Sequence, residues 1–197
     1  MLRRIRYAAI AAIVVLAGVL AAAEFGLLRR EAASPALGGP TLGAFVLTDQ
    51  NGVQVTERDV VGRPAAIFFG FTYCPDVCPT TLTSLTALLQ RLGADANRLG
   101  VFFVTVDPDR DNPAALKAYL SSFDPRIRGL TGTAAQLKAL TKPLGVFHER
   151  VGEGDSYTVD HTASVFLLNA DGRFQGTIAY GEDADVALEK LRGMVTR

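Results

Sequence analysis

Few side chains in this chain of 197 residues can hold a soft metal or carry redox chemistry: two cysteines (Cys74, Cys78), two histidines (His148, His161) and two methionines (Met1, Met194). A structural zinc site wants four protein ligands, and only three suitable ones are found here, so that class is set aside. A disulfide between Cys74 and Cys78 would close a tiny loop and add little stability, which argues against a purely structural pair. Basic residues are not in excess either. The chain balances 20 lysines and arginines against 20 aspartates and glutamates. Residues 1–30 hold five of those arginines and one glutamate, leaving 15 basic against 19 acidic groups for the remainder. A domain with that net charge and no basic stripe argues against nucleic acid as a partner. Internal repeats are absent, as are low-complexity tracts beyond one short linker.

Apolar residues, by contrast, make up 49% of the chain against 20% charged. That suits one globular domain with a full-sized core and an appendage. The appendage is "YAAIAAIVVLAGVLAAA", residues 7–23, behind Arg3, Arg4 and Arg6. As a helix it would reach about 26 Å, the short end of a membrane span. Ala21, Ala22 and Ala23 supply the small residues of a signal cleavage site. Glu24, Arg29 and Arg30 supply a second polar flank instead, and apolar character resumes in "FGLL" (25–28). An uncleaved transmembrane helix within residues 1–29 is favoured over a cleaved signal. The arginine cluster stays inside, which puts the rest on the periplasmic side of the inner (plasma) membrane. Residues 30–43, rich in Ala, Gly and Pro, read as a tether, and residues 44–197 as the domain.

Within that domain, "FVLTDQNGVQVT" (45–56) is two short apolar runs around Asn51-Gly52, a hairpin signal. "PAAIFFGF" (64–71) and "LGVFFVTVD" (99–107) are continuous apolar runs, as strands buried on both faces should be. Between them a helix is expected from about Pro79 to Leu92, with Leu82, Leu85, Leu88, Leu89 and Leu92 on one face. Asn112-Pro113 opens a helix to about Phe123, and Thr133 caps another. "VFHERV" (146–151), a hairpin over 163–180 turning at Asp171-Gly172, and a last helix from Asp183 complete the order. Strand, cysteine loop, helix, buried strand, then a hairpin and a helix is the thioredoxin-like α/β order.

Three motifs on that scaffold, "FTYCPDVCPTTL", "VTVDPDRDNP" and "VDHTASVFLL", closely resemble the Sco/SenC family over roughly residues 40–195. Those are membrane-tethered copper proteins that help to assemble the binuclear copper centre of cytochrome c oxidase. The resemblance implies that Cys74, Cys78 and His161 are copper ligands. It also implies a copper-accepting oxidase subunit as partner. A separate copper donor follows from the lack of any methionine-rich tract.

The residues support that reading in their own right. Thiols at i and i+4 near a helix start share one face, close enough to hold an ion or to form a disulfide. The helix dipole there is expected to favour thiolate. Soft thiolates with one imidazole select copper or zinc, and Cu(I), which two or three ligands satisfy, or Cu(II) fits the ligand count better. His148 alternates with apolar Phe147 and precedes charges, as a solvent-facing strand residue does. His161 precedes a buried strand, where thioredoxin-like folds usually carry a cis-proline, and no proline occurs between residues 144 and 197. Asp160, Asp76, Asp107 and Asp111 are candidates for tuning or bracing the site, each with a plain turn or cap role as the alternative. The same dithiol suits a second function, a thiol–disulfide reductase that keeps a partner's cysteines reduced. Against it stand the three-residue spacing and the missing proline. A peroxiredoxin is excluded, because Phe71 and Pro75 stand where its threonine or serine would be.

Overall fold

The computed structural model describes residues 39–196 together with Arg3, Arg6 and Tyr7. The expected membrane helix and most of the tether therefore lie outside the described residues. Among the described residues no helix is long and apolar enough to cross a membrane. The chain divides into two units, residues 1–38 and residues 39–197.

The second unit opens with the expected hairpin. Strands β1 (Val46–Asp49) and β2 (Gln54–Thr56) pair antiparallel, Val46 opposite Thr56. Gly52 takes a positive φ of 81° in the turn, which a side chain would resist. The Asp49 carboxylate accepts the N–H groups of Asn51 and Val53 across that turn. A one-turn helix α1 (Glu57–Val60) follows, started by a capping box between Thr56 and Asp59.

Strands β3 (Ala65–Gly70) and β4 (Gly100–Thr105) are buried along their whole length and run parallel, joined by helix α2 (Val77–Leu92). Helix α3 (Pro113–Leu120) begins at the expected Asn112 cap, whose side chain accepts the Ala115 N–H. It leads into β5 (Ile127–Thr131), parallel to β4 and antiparallel to β1. Sequence reasoning placed no strand there. Helix α4 (Ala134–Thr141) starts at the Thr133 capping box. Strands β6 (His148–Val151) and β7 (Thr158–His161) form a separate two-stranded sheet. Then β8 (Val165–Leu168), β9 (Phe174–Ile178) and helix α5 (Ala184–Val195) close the domain.

The main sheet has the order β2-β1-β5-β4-β3-β8-β9. Its centre is the thioredoxin-like arrangement expected: β3 lies between parallel β4 and antiparallel β8. Phe68, Phe69, Phe102 and Phe103 fill the core at its middle, and α2 packs against α5. The direction of the chain changes beside β3, and such switch points at the carboxyl ends of strands are where α/β sheets form sites. The cysteine loop leaves β3 at that end.

Candidate metal centre

After Gly70 the chain leaves the sheet in a turn, in which the Cys74 N–H donates to the Phe71 carbonyl at 3.3 Å. Helix α2 then starts at Val77, two residues earlier than expected, with Asp76 at its cap position. Cys78 is thus in the first helical turn, while Cys74 stands just ahead of it. The Cys78 N–H points at the Cys74 sulfur, 3.4 Å away. Both are free thiols, Cys74 half-buried and Cys78 fully buried. A Cβ at Gly70 would stand 2.7 Å from Cys78 Sγ, so the strand's last residue is small because the sulfur occupies that space.

The third ligand candidate arrives from the β6–β7 hairpin. His161 is the last residue of β7, and its Nε2 lies 3.6 Å from Cys78 Sγ. Its Nδ1 faces the Thr162 carbonyl at 3.0 Å. A carbonyl only accepts, so Nδ1 carries the proton and the Nε2 lone pair faces the sulfurs. Phe68 and Phe71 meet the ring edge-on. Burial lowers the pKa of His161, opposed by the Thr162 bond and the charge of Asp160. The Cys74, Cys78 and His161 ligand atoms all lie within 4.8 Å of one another. His148 is exposed on the strand opposite His161 and outside that cluster.

One electrostatic expectation needs correction. Burial pushes the Cys78 thiol well above its ordinary range, a hydrogen bond from the Phe71 backbone opposing it. Desolvation is the largest cause of that rise, and the neighbouring Cys74 and Asp111 add to it. Two soft sulfurs and one neutral imidazole nitrogen, meeting at the mouth of a helix, suit a thiophilic metal whose binding displaces the thiol proton.

The four aspartates divide by position. Asp76 and Asp160 are exposed. Asp76 accepts from the Thr80 hydroxyl, and Asp160 acts on His161 through charge while the ring is oriented by Thr162. Asp111, fully buried, accepts from the Thr72 N–H at 3.0 Å and from the Thr105 hydroxyl at 2.6 Å. It also accepts from the Thr72 hydroxyl, and so braces the cysteine loop from below. Asp107 receives Arg110 and the Tyr157 hydroxyl. Sequence reasoning missed Gly70, Thr72, Arg110 and Tyr157; only "VDPDRD" carried a signal, and that signal drew attention to its acids.

A family model described as SCO1/SenC matches residues 34–196. This chain belongs to the SCO1/SenC family. It is 38% identical over 171 residues to mitochondrial protein SCO2 of Saccharomyces cerevisiae, covering 85% of this chain and 56% of that one. The chain spans about half the length of the yeast relatives, since the match to yeast SCO1 covers 53% of that protein. Among solved structures, Bradyrhizobium japonicum ScoI with copper bound is 42% identical, with a TM-score of 0.73 over 78% of this chain and 99% of that one. Yeast Sco1 with copper bound is 37% identical, with a TM-score of 0.72 over 80% of this chain and 90% of that one.

Proposed function

We propose that this chain is a copper metallochaperone, tethered to the inner membrane and facing the periplasm, that assists assembly of the copper centre of cytochrome c oxidase. One observation carries the reading. Two sulfurs and an unprotonated imidazole nitrogen converge within 4.8 Å on the scaffold of a family in which the solved Bradyrhizobium japonicum ScoI and yeast Sco1 have been seen with copper bound. Cys74, Cys78 and His161 are the ligands, and copper, as Cu(I) or Cu(II), is the cargo.

Half-buried Cys74 is the ligand that a docked acceptor reaches first. Delivery is then ligand exchange: the acceptor's thiolates replace Cys74, then buried Cys78, and each thiol regains a proton as copper leaves. Thr162 keeps His161 in the tautomer that offers Nε2 throughout.

Two neighbouring free thiols, one half-exposed, also favour the reductase reading. There the pair gives two electrons and two protons to a partner disulfide and becomes a disulfide itself. Complementing a deletion strain separates the two. His161→Ala removes a copper ligand but neither sulfur, whereas Cys74→Ser and Cys78→Ser abolish both activities. All three variants are expected to fail to restore oxidase activity, although the His161 variant still reduces a test disulfide. Full rescue by His161→Ala, with both serine variants inactive, would establish the reductase instead.

The tether has its own test. Full-length protein is expected in the membrane fraction and to resist carbonate washing. A soluble periplasmic product beginning near Glu24 would show a cleaved signal.

A further inference from the structure

The function proposed above leaves Arg110 unused, yet Arg110 touches both halves of the site. Its guanidinium carbon lies 3.6 Å from the centre of the Tyr157 ring, 4.7 Å from that of Tyr73 and 5.8 Å from that of Phe71. Its Nε donates to the Asp107 carboxylate and its Nη1 to the Tyr157 carbonyl at 3.1 Å. The Tyr157 hydroxyl donates to the other Asp107 oxygen at 2.6 Å. Tyr73 precedes Cys74 in the chain. Tyr157 immediately precedes β7, the strand that ends at His161.

The β6–β7 hairpin that carries His161 pairs with no strand of the main sheet. A two-stranded ribbon is marginal alone, so its place depends on the side chains that pin it. Arg110, whose side chain is only 17% exposed, is such a pin, and it spans from the cysteine loop to the hairpin. A flat guanidinium can lie against aromatic faces while donating in its plane, which an ammonium cannot do. Arg150 makes an instructive contrast. It stacks on the same Tyr157 ring at 3.5 Å but belongs to β6, and it reaches outside the hairpin only through a long, exposed ion pair with Asp109 at 3.9 Å, a contact of little energetic weight.

Resting on the copper-site reading, we infer that Arg110 is a positioning residue: by clamping Tyr157 to Asp107 and Tyr73 it sets where His161 stands relative to the two sulfurs. The tightest of its ring contacts is with Tyr157 at the foot of β7, so its effect on copper is expected to run through His161.

The test is a double-mutant cycle on the full-length reduced chain, titrated with Cu(I) against a competing chelator. Arg110→Met is expected to weaken copper binding about tenfold, in the range of groups that orient a metal-ligating histidine. In a His161→Ala background it should cause no further loss. Arg110→Lys, which keeps the charge without the flat stack, should fall between parent and Arg110→Met. Arg150→Met should bind as the parent does. The Cu(II) forms give a second readout, since nitrogen hyperfine structure should weaken in Arg110→Met and persist in Arg150→Met. Parental affinity in Arg110→Met, or an equal loss with and without His161, overturns the inference. Failure of the parent to bind copper overturns the copper site itself, a different outcome from either.

Discussion

Asp111→Ala is expected to destabilise the domain by about 3 kcal/mol, although residue 111 is no ligand. The carboxylate is fully buried and accepts from the Thr72 N–H and the hydroxyls of Thr72 and Thr105. Alanine leaves the buried Thr105 hydroxyl and the half-buried Thr72 donors without their acceptor, at about 1–3 kcal/mol for each that stays unpaired. The loss is smaller than a simple sum, because burial already raises the Asp111 carboxyl above the usual range, against the hydrogen bonds from Thr105 and Thr72. Asp111→Asn keeps one acceptor oxygen and should cost about 1.5 kcal/mol, half as much. Denaturant unfolding of each variant measures this, with the midpoint moving and the slope unchanged. A shift below about 0.5 kcal/mol for alanine would mean that Asp111 does not brace the cysteine loop.

Cys78→Ser should weaken copper binding more than any other single change, by more than about a hundredfold. Groups one step removed from a metal already cost about 10–100-fold, and Cys78 is proposed as a direct ligand. A hydroxyl is also the wrong partner for a soft ion. His161→Ala removes one nitrogen and keeps both sulfurs, so a loss of tenfold or more is expected, equal to about 1.4 kcal/mol or above. Competition titration with a Cu(I) chelator reads both. If the histidine change costs more than the cysteine change, the sulfurs are not the principal ligands.

Much of the scaffold was legible because its signals are local. The unbroken apolar runs of β3 and β4, the Asn51-Gly52 turn and the caps at Asn112 and Thr133 each lie within a few residues. Strand β5 was not, because Arg128 and Gly129 interrupt its apolar pattern. Arg128 is partnered by Asp49 on the neighbouring strand, and a Cβ at Gly129 would stand 2.6 Å from Leu120 of α3, so tertiary packing chose both residues. The cysteine pair and His161 could be named from type and spacing although 83 residues separate Cys78 from His161. The supports could not. Thr72 meets Asp111 across 39 residues and Arg110 meets Tyr157 across 47, contacts that exist only once the sheet order is known. The acids of "VDPDRD" read from sequence as braces of the site or as turn and cap residues, and in the structure Asp107 and Asp111 hold an arginine, a tyrosine and two threonines, partners that the sequence did not name.

The central claim is that the two thiols and the imidazole form one copper site. Titrating the full-length chain with copper, once reduced and once with Cys74 and Cys78 joined as a disulfide, tests it most directly. Oxidation removes both sulfur ligands together and leaves His161 in place. The reduced protein is expected to bind one copper tightly, with sulfur ligation visible in its spectrum, and the disulfide form to bind it weakly. Equal affinity in the two forms would contradict the claim, because the copper would then be held by groups other than these.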